Sequence, residues 1–119
     1  MSKSSLHQQH QDRIIDYLYD KSYWIIRQEV PVPIGVCDVW GMKSNSGNYD
    51  SIAVEVKVSR NDFLSRSSKY KQVTGCVMAN RTYFMCPPGL IIPTEINPDW
   101  GLLWWDGSGR IVNKKQAKF

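Results

Sequence analysis

The segment Ser51-Ile-Ala-Val-Glu-Val-Lys-Val58 constrains this chain more than any other. β-Branched residues occupy every second position from Ile52 to Val58, which predicts a strand with one apolar face. Glu55 and Lys57 then project together from the opposite face, about 6–7 Å apart along the strand. Buried charged groups are costly unless they are paired or bind a metal. The segment is therefore either a solvated edge strand, whose ion pair contributes little, or part of a charged site.

The length and composition predict one globular domain spanning residues 1–119. The chain is 42% apolar and 22% charged, as in ordinary globular proteins, and residues 1–5 and 113–119 are expected to be flexible. No apolar run approaches the roughly 20 residues that a membrane span needs, and the N-terminus lacks the apolar core of a signal peptide. We therefore expect a cytoplasmic protein without a membrane partner. Its three cysteines form no CxxC pair, which indicates reduced thiols.

The order of the predicted elements indicates an α/β fold with a mixed sheet. The first helix spans His7–Asp20, and a second begins after Ser59 or Asn61 as N-cap, is interrupted near Ser65–Ser68 and resumes over about Tyr70–Met78. The predicted strands are Tyr23–Val30, Gly35–Trp40, Ser51–Val58 and Thr82–Cys86, followed by a hairpin of Trp100–Trp105 and Arg110–Val112.

The turn Asn45-Ser-Gly-Asn48 joins two of these strands into an antiparallel hairpin. If the turn is centred between Ser46 and Gly47, the numbers of opposed residues sum to 93, so that Asp38 faces Glu55. Opposed residues of such a pair share a face, with Cβ atoms about 4.5–5.5 Å apart. Two facing carboxylates would destabilise the hairpin unless a positive group lay between them.

Asp38, Glu55 and Lys57 together suggest a catalytic site. Two converging carboxylates are hard oxygen ligands that suit Mg²⁺ or Mn²⁺, and a metal-bound water is a nucleophile near neutral pH. The Lys57 ammonium beside the metal could orient that water and stabilise charge on a phosphate. We therefore expect phosphodiester hydrolysis. The chain has no Gly-rich phosphate-binding loop, and no small-molecule cofactor is expected.

The distribution of charge favours a polyanionic partner. The net charge is +4, but residues 1–56 carry five Lys/Arg against seven Asp/Glu, whereas residues 57–119 carry ten against four. Only Asp62 opposes the five basic residues between Lys57 and Lys71, which favours nucleic acid over the alternative of a solvated helix face. The candidate nucleic-acid contacts are Arg60, Arg66, Lys69, Lys71 and Gln72.

Several strings resemble a known group of nucleases. Asp38, followed after sixteen residues by Glu55-Val56-Lys57, is similar to the Asp…(Asp/Glu)-x-Lys signature of the PD-(D/E)xK superfamily. The strings Cys-Asp-Val-Trp-Gly, Val-Glu-Val-Lys-Val-Ser-Arg-Asn-Asp-Phe and Phe-Met-Cys-Pro-Pro-Gly-Leu resemble its MmcB-like DNA-repair branch. The resemblance covers residues 23–103 and implies a restriction-endonuclease-like core, in α-β-β-β-α-β order, with a C-terminal β-hairpin.

The resemblance also implies residue roles. It makes Asp38 and Glu55 metal ligands, with the Val56 carbonyl as a third, and Lys57 the catalytic lysine. A further acidic ligand is common in such proteins, and Asp12, Asp16 and Glu29 remain candidates for it. Members also place Gln or Lys on the helix after this strand, where Lys69 and Gln72 stand.

The resulting hypothesis is a metal-dependent endonuclease acting on duplex or branched DNA. So small a nuclease domain often uses a second copy to address both strands, which favours a homodimer. A catalytically inactive DNA-binding module and a protein-interaction domain built on the Trp-rich hairpin are the alternatives. Trp100 and Trp104 are expected in the core rather than stacked on bases, and His7 and His10 are expected to be solvated.

Overall fold

The computed structural model of the chain describes residues 4–33, 35–74 and 79–119. Its helices are α1 (Ser5–Asp20), α2 (Arg60–Phe63) and α3 (Arg66–Thr74), with a 3-10 turn at Pro93–Glu95. Its strands are β1 (Ile25–Pro31), β2 (Val36–Asn45), β3 (Asn48–Val56), β4 (Arg81–Cys86), β5 (Gly101–Trp104) and β6 (Val112–Lys115).

The strands form one mixed sheet in the order β1-β2-β3-β4-β5-β6. The pairs β1–β2, β2–β3 and β5–β6 are antiparallel, whereas β3–β4 and β4–β5 are parallel. A parallel pair needs a long crossover connection, and α2 and α3 lie in the connection between β3 and β4. The predicted α/β class with a mixed sheet is confirmed.

The β2–β3 hairpin has the predicted register. Val39 pairs with Val54 and Asn45 with Asn48, so the paired numbers sum to 93. The two turn residues have positive φ, 53° at Ser46 and 84° at Gly47, as a two-residue type I′ turn requires. This turn places the start of β2 beside the end of β3.

Two apolar clusters cover the two faces of the sheet. The first joins α1, through Ile14 and Leu18, to one face that includes Val54 and Met85. The second joins Phe63 of α2 to the other face, where Phe84 packs against Trp100. Trp100 and Trp104 both belong to this second cluster, as the preference for a core role predicted.

His10 links α1 to the sheet, which differs from its predicted exposure to solvent. Its ring is 1% exposed and meets the Trp105 ring edge to face. The Nδ1 atom lies 3.0 Å from the Leu6 carbonyl oxygen and Nε2 lies 3.3 Å from that of Trp105. Helical spacing places it one turn before Ile14 on the buried side of α1, which explains why it is not solvated.

The bounds of β3 and α3 differ from the prediction. β3 begins earlier, at Asn48, and ends at Val56, so Lys57 follows the strand while its N–H still donates to the Met85 carbonyl. α3 starts at Arg66, earlier than the predicted Tyr70, and only Leu64 and Ser65 separate it from α2. The Ser65 hydroxyl accepts the Ser68 N–H there. The predicted helix end near Met78 lies outside the described residues.

The C-terminal segment packs as part of the fold, in contrast to the flexible tail predicted for 113–119. Val112–Lys115 form β6, Ala117 is 4% exposed, and the Lys118 N–H donates to the Asp99 carbonyl. The predicted closing hairpin forms, but its second strand lies at Val112–Lys115 rather than at Arg110–Val112. The exposed lysines of this edge strand obscured its bounds.

At the N-terminus, residues 1–3 of the predicted flexible segment lie outside the described residues, whereas Ser4 caps α1 by accepting the His7 N–H. Among the described residues, no helix is both long enough and apolar enough to cross a membrane.

Candidate functional site

The predicted acidic residues meet in a cavity at the start of β2 and the end of β3. The cavity has a volume of about 740 Å³ and lies between the N-terminus of α1, these strand ends and α3. Asp38, Glu55, Val56 and Lys57 all line it. The hairpin register explains the meeting, because the Val39–Val54 pair places Asp38 next to Glu55.

Asp38 is 8% exposed, and its carboxylate contacts both a strand and α1 in this cavity. Its Oδ2 atom accepts the Val56 N–H at 2.8 Å, so it bridges β2 and β3 where their pairing ends. The same oxygen lies 3.5 Å from Nε2 of His7. The bond to Val56 fixes one oxygen of the carboxylate against the strand.

Glu55 forms a buried ion pair with Lys71 of α3. The Lys71 Nζ atom lies 2.9 Å from Oε1 of Glu55 and donates to the Val36 carbonyl at 2.7 Å. Glu55 is 2% exposed and Lys71 is 5% exposed. Lys71 was predicted to contact nucleic acid, but its ammonium is instead buried within the acidic site.

The two carboxylates repel each other despite this lysine. Burial raises the pKa of Glu55, and the charge of Asp38 raises it further, while Lys71 acts in the opposite direction. Burial, and after it the charges of the same two carboxylates, raise the pKa of the Cys37 thiol to about 12. The site therefore favours an additional positive charge.

Lys57 is a buried lysine that lines the same cavity. Its Nζ atom is 3.4 Å from Oδ1 of Asp62, and the Lys57 side chain is buried whereas that of Asp62 is about half exposed. Asp62 is held in the first turn of α2, where its N–H donates to the Ser59 hydroxyl. Lys57 and Asp62 both line the cavity, so this ion pair forms part of its wall.

His7 is the residue of this site that was predicted to be solvated. It is 9% exposed, and its Nδ1 atom is buried without a hydrogen-bond partner. A signal for its burial was present in the sequence, because His7, His10, Ile14 and Leu18 follow the spacing of one helix face.

None of the three candidates for a further acidic ligand completes a metal-binding cluster. Asp12 and Asp16 are exposed on α1, and Asp12 accepts a hydrogen bond from Gln8. Glu29 has a φ of 55° and accepts from Gln11. Within residues 4–33, 35–74 and 79–119, no group of three or more His, Cys, Asp or Glu side chains is arranged to hold a metal ion.

The donors that do converge still fit Mg²⁺ or Mn²⁺. Mg²⁺ binds proteins through as few as one or two carboxylates and retains several waters. Asp38 and Glu55 supply two hard carboxylates, and their mutual repulsion favours a cation. Lys71 neutralises part of that charge. Val56, whose carbonyl is the expected third ligand, also lines the cavity.

Of the remaining candidate nucleic-acid contacts, two have exposed cationic side chains and two already bond to other parts of the protein. Arg66 and Lys69 are exposed and line an open depression of about 580 Å³ with Leu64 and Tyr70. Arg60 instead forms a two-point ion pair with Glu95, in which Nη1 lies 2.7 Å from Oε1 and Nη2 lies 3.1 Å from Oε2.

Gln72 contacts the loop before β5 rather than solvent. Its side-chain oxygen accepts the Asn97 N–H at 2.9 Å, and its carbonyl accepts from the Asn97 side chain. The exposed cations suited to phosphates are therefore Arg66 and Lys69.

In comparisons with protein-family models, curated proteins and solved structures, none matches this chain. The functional argument therefore depends on the site itself.

Proposed function

We propose that this protein is a divalent-metal-dependent DNA endonuclease or DNA-processing nuclease with a restriction-endonuclease-like core. The convergence of Asp38 and Glu55 in one cavity with two buried lysines is the observation that carries the proposal. Acidic groups that repel each other are costly to bury. A site that retains such a pair beside cationic side chains suits metal-assisted chemistry on an anionic substrate.

In this proposal each side chain has a distinct role. Asp38, Glu55 and the Val56 carbonyl would hold Mg²⁺ or Mn²⁺, which when bound acidifies a water and neutralises charge on the phosphodiester. The Lys57 ammonium, directed by Asp62, orients the attacking water and stabilises the negative charge that builds on the phosphate. Lys71 holds Glu55 in place and limits its repulsion from Asp38.

DNA, duplex or branched, is the proposed substrate. The exposed Arg66 and Lys69 side chains lie on α3, the helix that also supplies Lys71 to the site. Cations on that helix would contact phosphates, while the cavity receives the scissile group. The proposal keeps a homodimer as the form that would address both strands, and the cytoplasm as the location.

The test is cleavage of labelled linear and branched DNA in Mn²⁺ or in EDTA. Asp38→Asn, Glu55→Gln and Lys57→Met should each abolish Mn²⁺-dependent cleavage, and DNA binding should survive in all three. Asp12→Asn is the matched control, because Asp12 is exposed on α1, and it should cleave like the wild type. Cleavage that persists in Asp38→Asn and Glu55→Gln, or that proceeds in EDTA, would reject the proposal.

A catalytically inactive DNA-binding module is the second candidate, and the Lys71–Glu55 ion pair favours it. An ammonium 2.9 Å from Glu55 already supplies positive charge where a metal would otherwise be needed. This alternative expects salt-dependent DNA binding that Mn²⁺ does not change, and no cleavage of any DNA in the panel. Mn²⁺-dependent nicking by the wild type that Asp38→Asn lacks would exclude it.

A further inference from the structure

A second cavity lies at the opposite end of α1 from the acidic site. It has a volume of about 240 Å³ and is bounded by the last turn of α1, including Tyr17 and Leu18, and by strand residues of the same sheet face. His7 at the acidic site and Leu18 at this cavity are eleven residues apart on α1, or about 16 Å along the helix axis. The two cavities are therefore separate.

Two lysines give this cavity a positive charge. The Lys43 Nζ atom donates to the Lys21 carbonyl at 3.1 Å and lies 4.5 Å from the centre of the Tyr23 ring. The Lys21 Nζ atom lies 5.3 Å from the centre of the Tyr17 ring. Among the described parts of the chain, neither lysine forms an ion pair with a carboxylate, so both charges remain available to an anion.

Arg81 also lines the cavity, but its guanidinium is already paired with a carboxylate. Its Nη1 atom lies 2.5 Å from Oδ2 of Asp50, so this guanidinium is neutralised. Asp50 stands opposite Lys43 in the β2–β3 register, so this acid lies beside Lys43 as well as Arg81. Lys21, Lys43 and Arg81 outnumber Asp50, so the cavity keeps a net positive charge.

The other walls are aromatic rings and amides. Tyr17, Tyr23 and Tyr83 line the cavity, together with the amide side chains of Asn113 and Gln116. Burial raises the pKa of both Tyr17 and Tyr23, so their hydroxyls remain protonated donors at neutral pH. Because the Lys21 and Lys43 ammonium groups lie over the Tyr17 and Tyr23 rings, the tyrosine hydroxyls and the two amides are the groups that would bond to the edge of a base.

We propose that this cavity binds a nucleoside phosphate, with the phosphate on Lys21 and Lys43 and the base among the tyrosine rings. Side-chain cations would perform the task that a Gly-rich loop performs elsewhere. The ligand could be a free mononucleotide or the 5′-phosphorylated terminal nucleotide of DNA, since both present the same chemistry. The site shares no residue with those proposed for cleavage. This proposal can therefore be tested independently of the nuclease activity.

The experiment is a titration of the ¹⁵N-labelled protein, followed by amide chemical shifts. The probes are the four deoxynucleoside monophosphates, inorganic phosphate, an unphosphorylated deoxynucleoside, and a short duplex with either a 5′-phosphate or a 5′-hydroxyl. We expect at least one monophosphate or the 5′-phosphorylated duplex to shift amides around Lys21, Lys43 and Tyr83. Lys21→Met, at an exposed position, and Lys43→Met should each weaken that binding at least tenfold.

Lys114→Met is the matched control. The Lys114 Nζ atom also lies over an aromatic ring, 4.7 Å from the centre of Trp104, but that ring belongs to the cluster on the other sheet face. The control should bind like the wild type. Tighter binding of the 5′-phosphorylated duplex than of any mononucleotide would identify a DNA end as the ligand, and the reverse would identify a free nucleotide.

Several results would overturn the proposal. These are equal weakening by Lys114→Met, equal binding of inorganic phosphate and the nucleotides, and shifts confined to the cavity of Asp38 and Glu55. Absence of binding by every probe would overturn it as well. Asp38→Asn should leave this binding unchanged, which separates the result from failure of the proposed nuclease.

Discussion

The Nζ atom of Lys71 lies 2.9 Å from Oε1 of Glu55, and both side chains are almost completely buried. This contact fixes α3 against the end of β3, because the same ammonium also donates to the Val36 carbonyl at the start of β2. It brings a cation into a site whose two carboxylates repel each other. The ion pair is therefore both a structural tie and part of the candidate site.

Lys71→Met should destabilise the protein by about 3 kcal/mol, because it leaves the buried Glu55 carboxylate beside Asp38 without its partner. Urea denaturation would measure the change. Lys69→Met, at an exposed position on the same helix, should change stability by less than about 0.5 kcal/mol. The double variant Glu55→Gln/Lys71→Met should recover much of the loss, and strict additivity of the two single variants would contradict the coupling.

Mn²⁺ should raise the melting temperature of the wild type, because a ligand that binds only the native state stabilises it by mass action. At ten times the dissociation constant the gain is about 1.4 kcal/mol, which amounts to several degrees for a domain of this size. Asp38→Asn should abolish the increase, whereas the exposed Asp12→Asn should retain it. Equal increases in all three proteins would place Mn²⁺ elsewhere.

The sequence predicted the hairpin and its acidic pair because the determinants are local. The Ser46-Gly47 turn fixes the register, and the register alone brings Asp38 to Glu55. Lys71 was not predicted within the site, because the break at Leu64 and Ser65 resets the phase of the helix that carries it. No local sequence pattern shows whether Lys69 or Lys71 of this helix has its side chain buried in the site.

The burial of His7 and the bounds of the C-terminal strand were not predicted, for a different reason. Each depends on a distant partner, His7 on Asp38 and β6 on β5. The buried face of α1 could have been read from helical spacing, but the contact with Asp38 requires knowing how α1 crosses the sheet. Edge strands rich in lysine have little periodicity to reveal them.

The salt dependence of DNA binding should depend on Arg66 and Lys69. Each cation that contacts a phosphate contributes counterion release, so Arg66→Ala or Lys69→Ala should reduce the slope of log K against log salt by about one. Arg60→Ala is the informative comparison, because Glu95 already engages that guanidinium at two points. A slope that changes as much for Arg60→Ala as for Arg66→Ala would reject this assignment of contacts.

The native thiols of Cys37 and Cys86 should react slowly with a disulfide reagent at pH 8. Burial raises their pKa values to about 12 and about 11, so almost none of either is present as the reactive thiolate. In a Cys76→Ser background, both thiols should become reactive only in denaturant. Stoichiometric reaction of native protein within seconds would contradict the assigned burial.

The same pKa shifts predict a loss of stability at alkaline pH. A thiol whose folded pKa is raised contributes its full stability below the unfolded value of about 8.5, and that stability declines as the pH rises toward the folded value. The free energy of unfolding should therefore fall from about pH 8.5 upwards. Cys37→Ala should show a shallower fall over the same range than the wild type, and identical slopes would contradict the role of this thiol.

Gly101→Ala should destabilise the protein by about 2 kcal/mol or more, because β5 approaches the Tyr83 ring too closely for a side chain. A Cβ atom at Gly101 would lie 2.3 Å from that ring and 2.7 Å from the Lys115 carbonyl oxygen. Gly41→Ala is the matched control, since this strand glycine would place a Cβ no closer than 3.4 Å to its neighbours. Thermal denaturation of both variants would measure the difference. Because Tyr83 lines the smaller cavity, Gly101→Ala should also weaken nucleotide binding there.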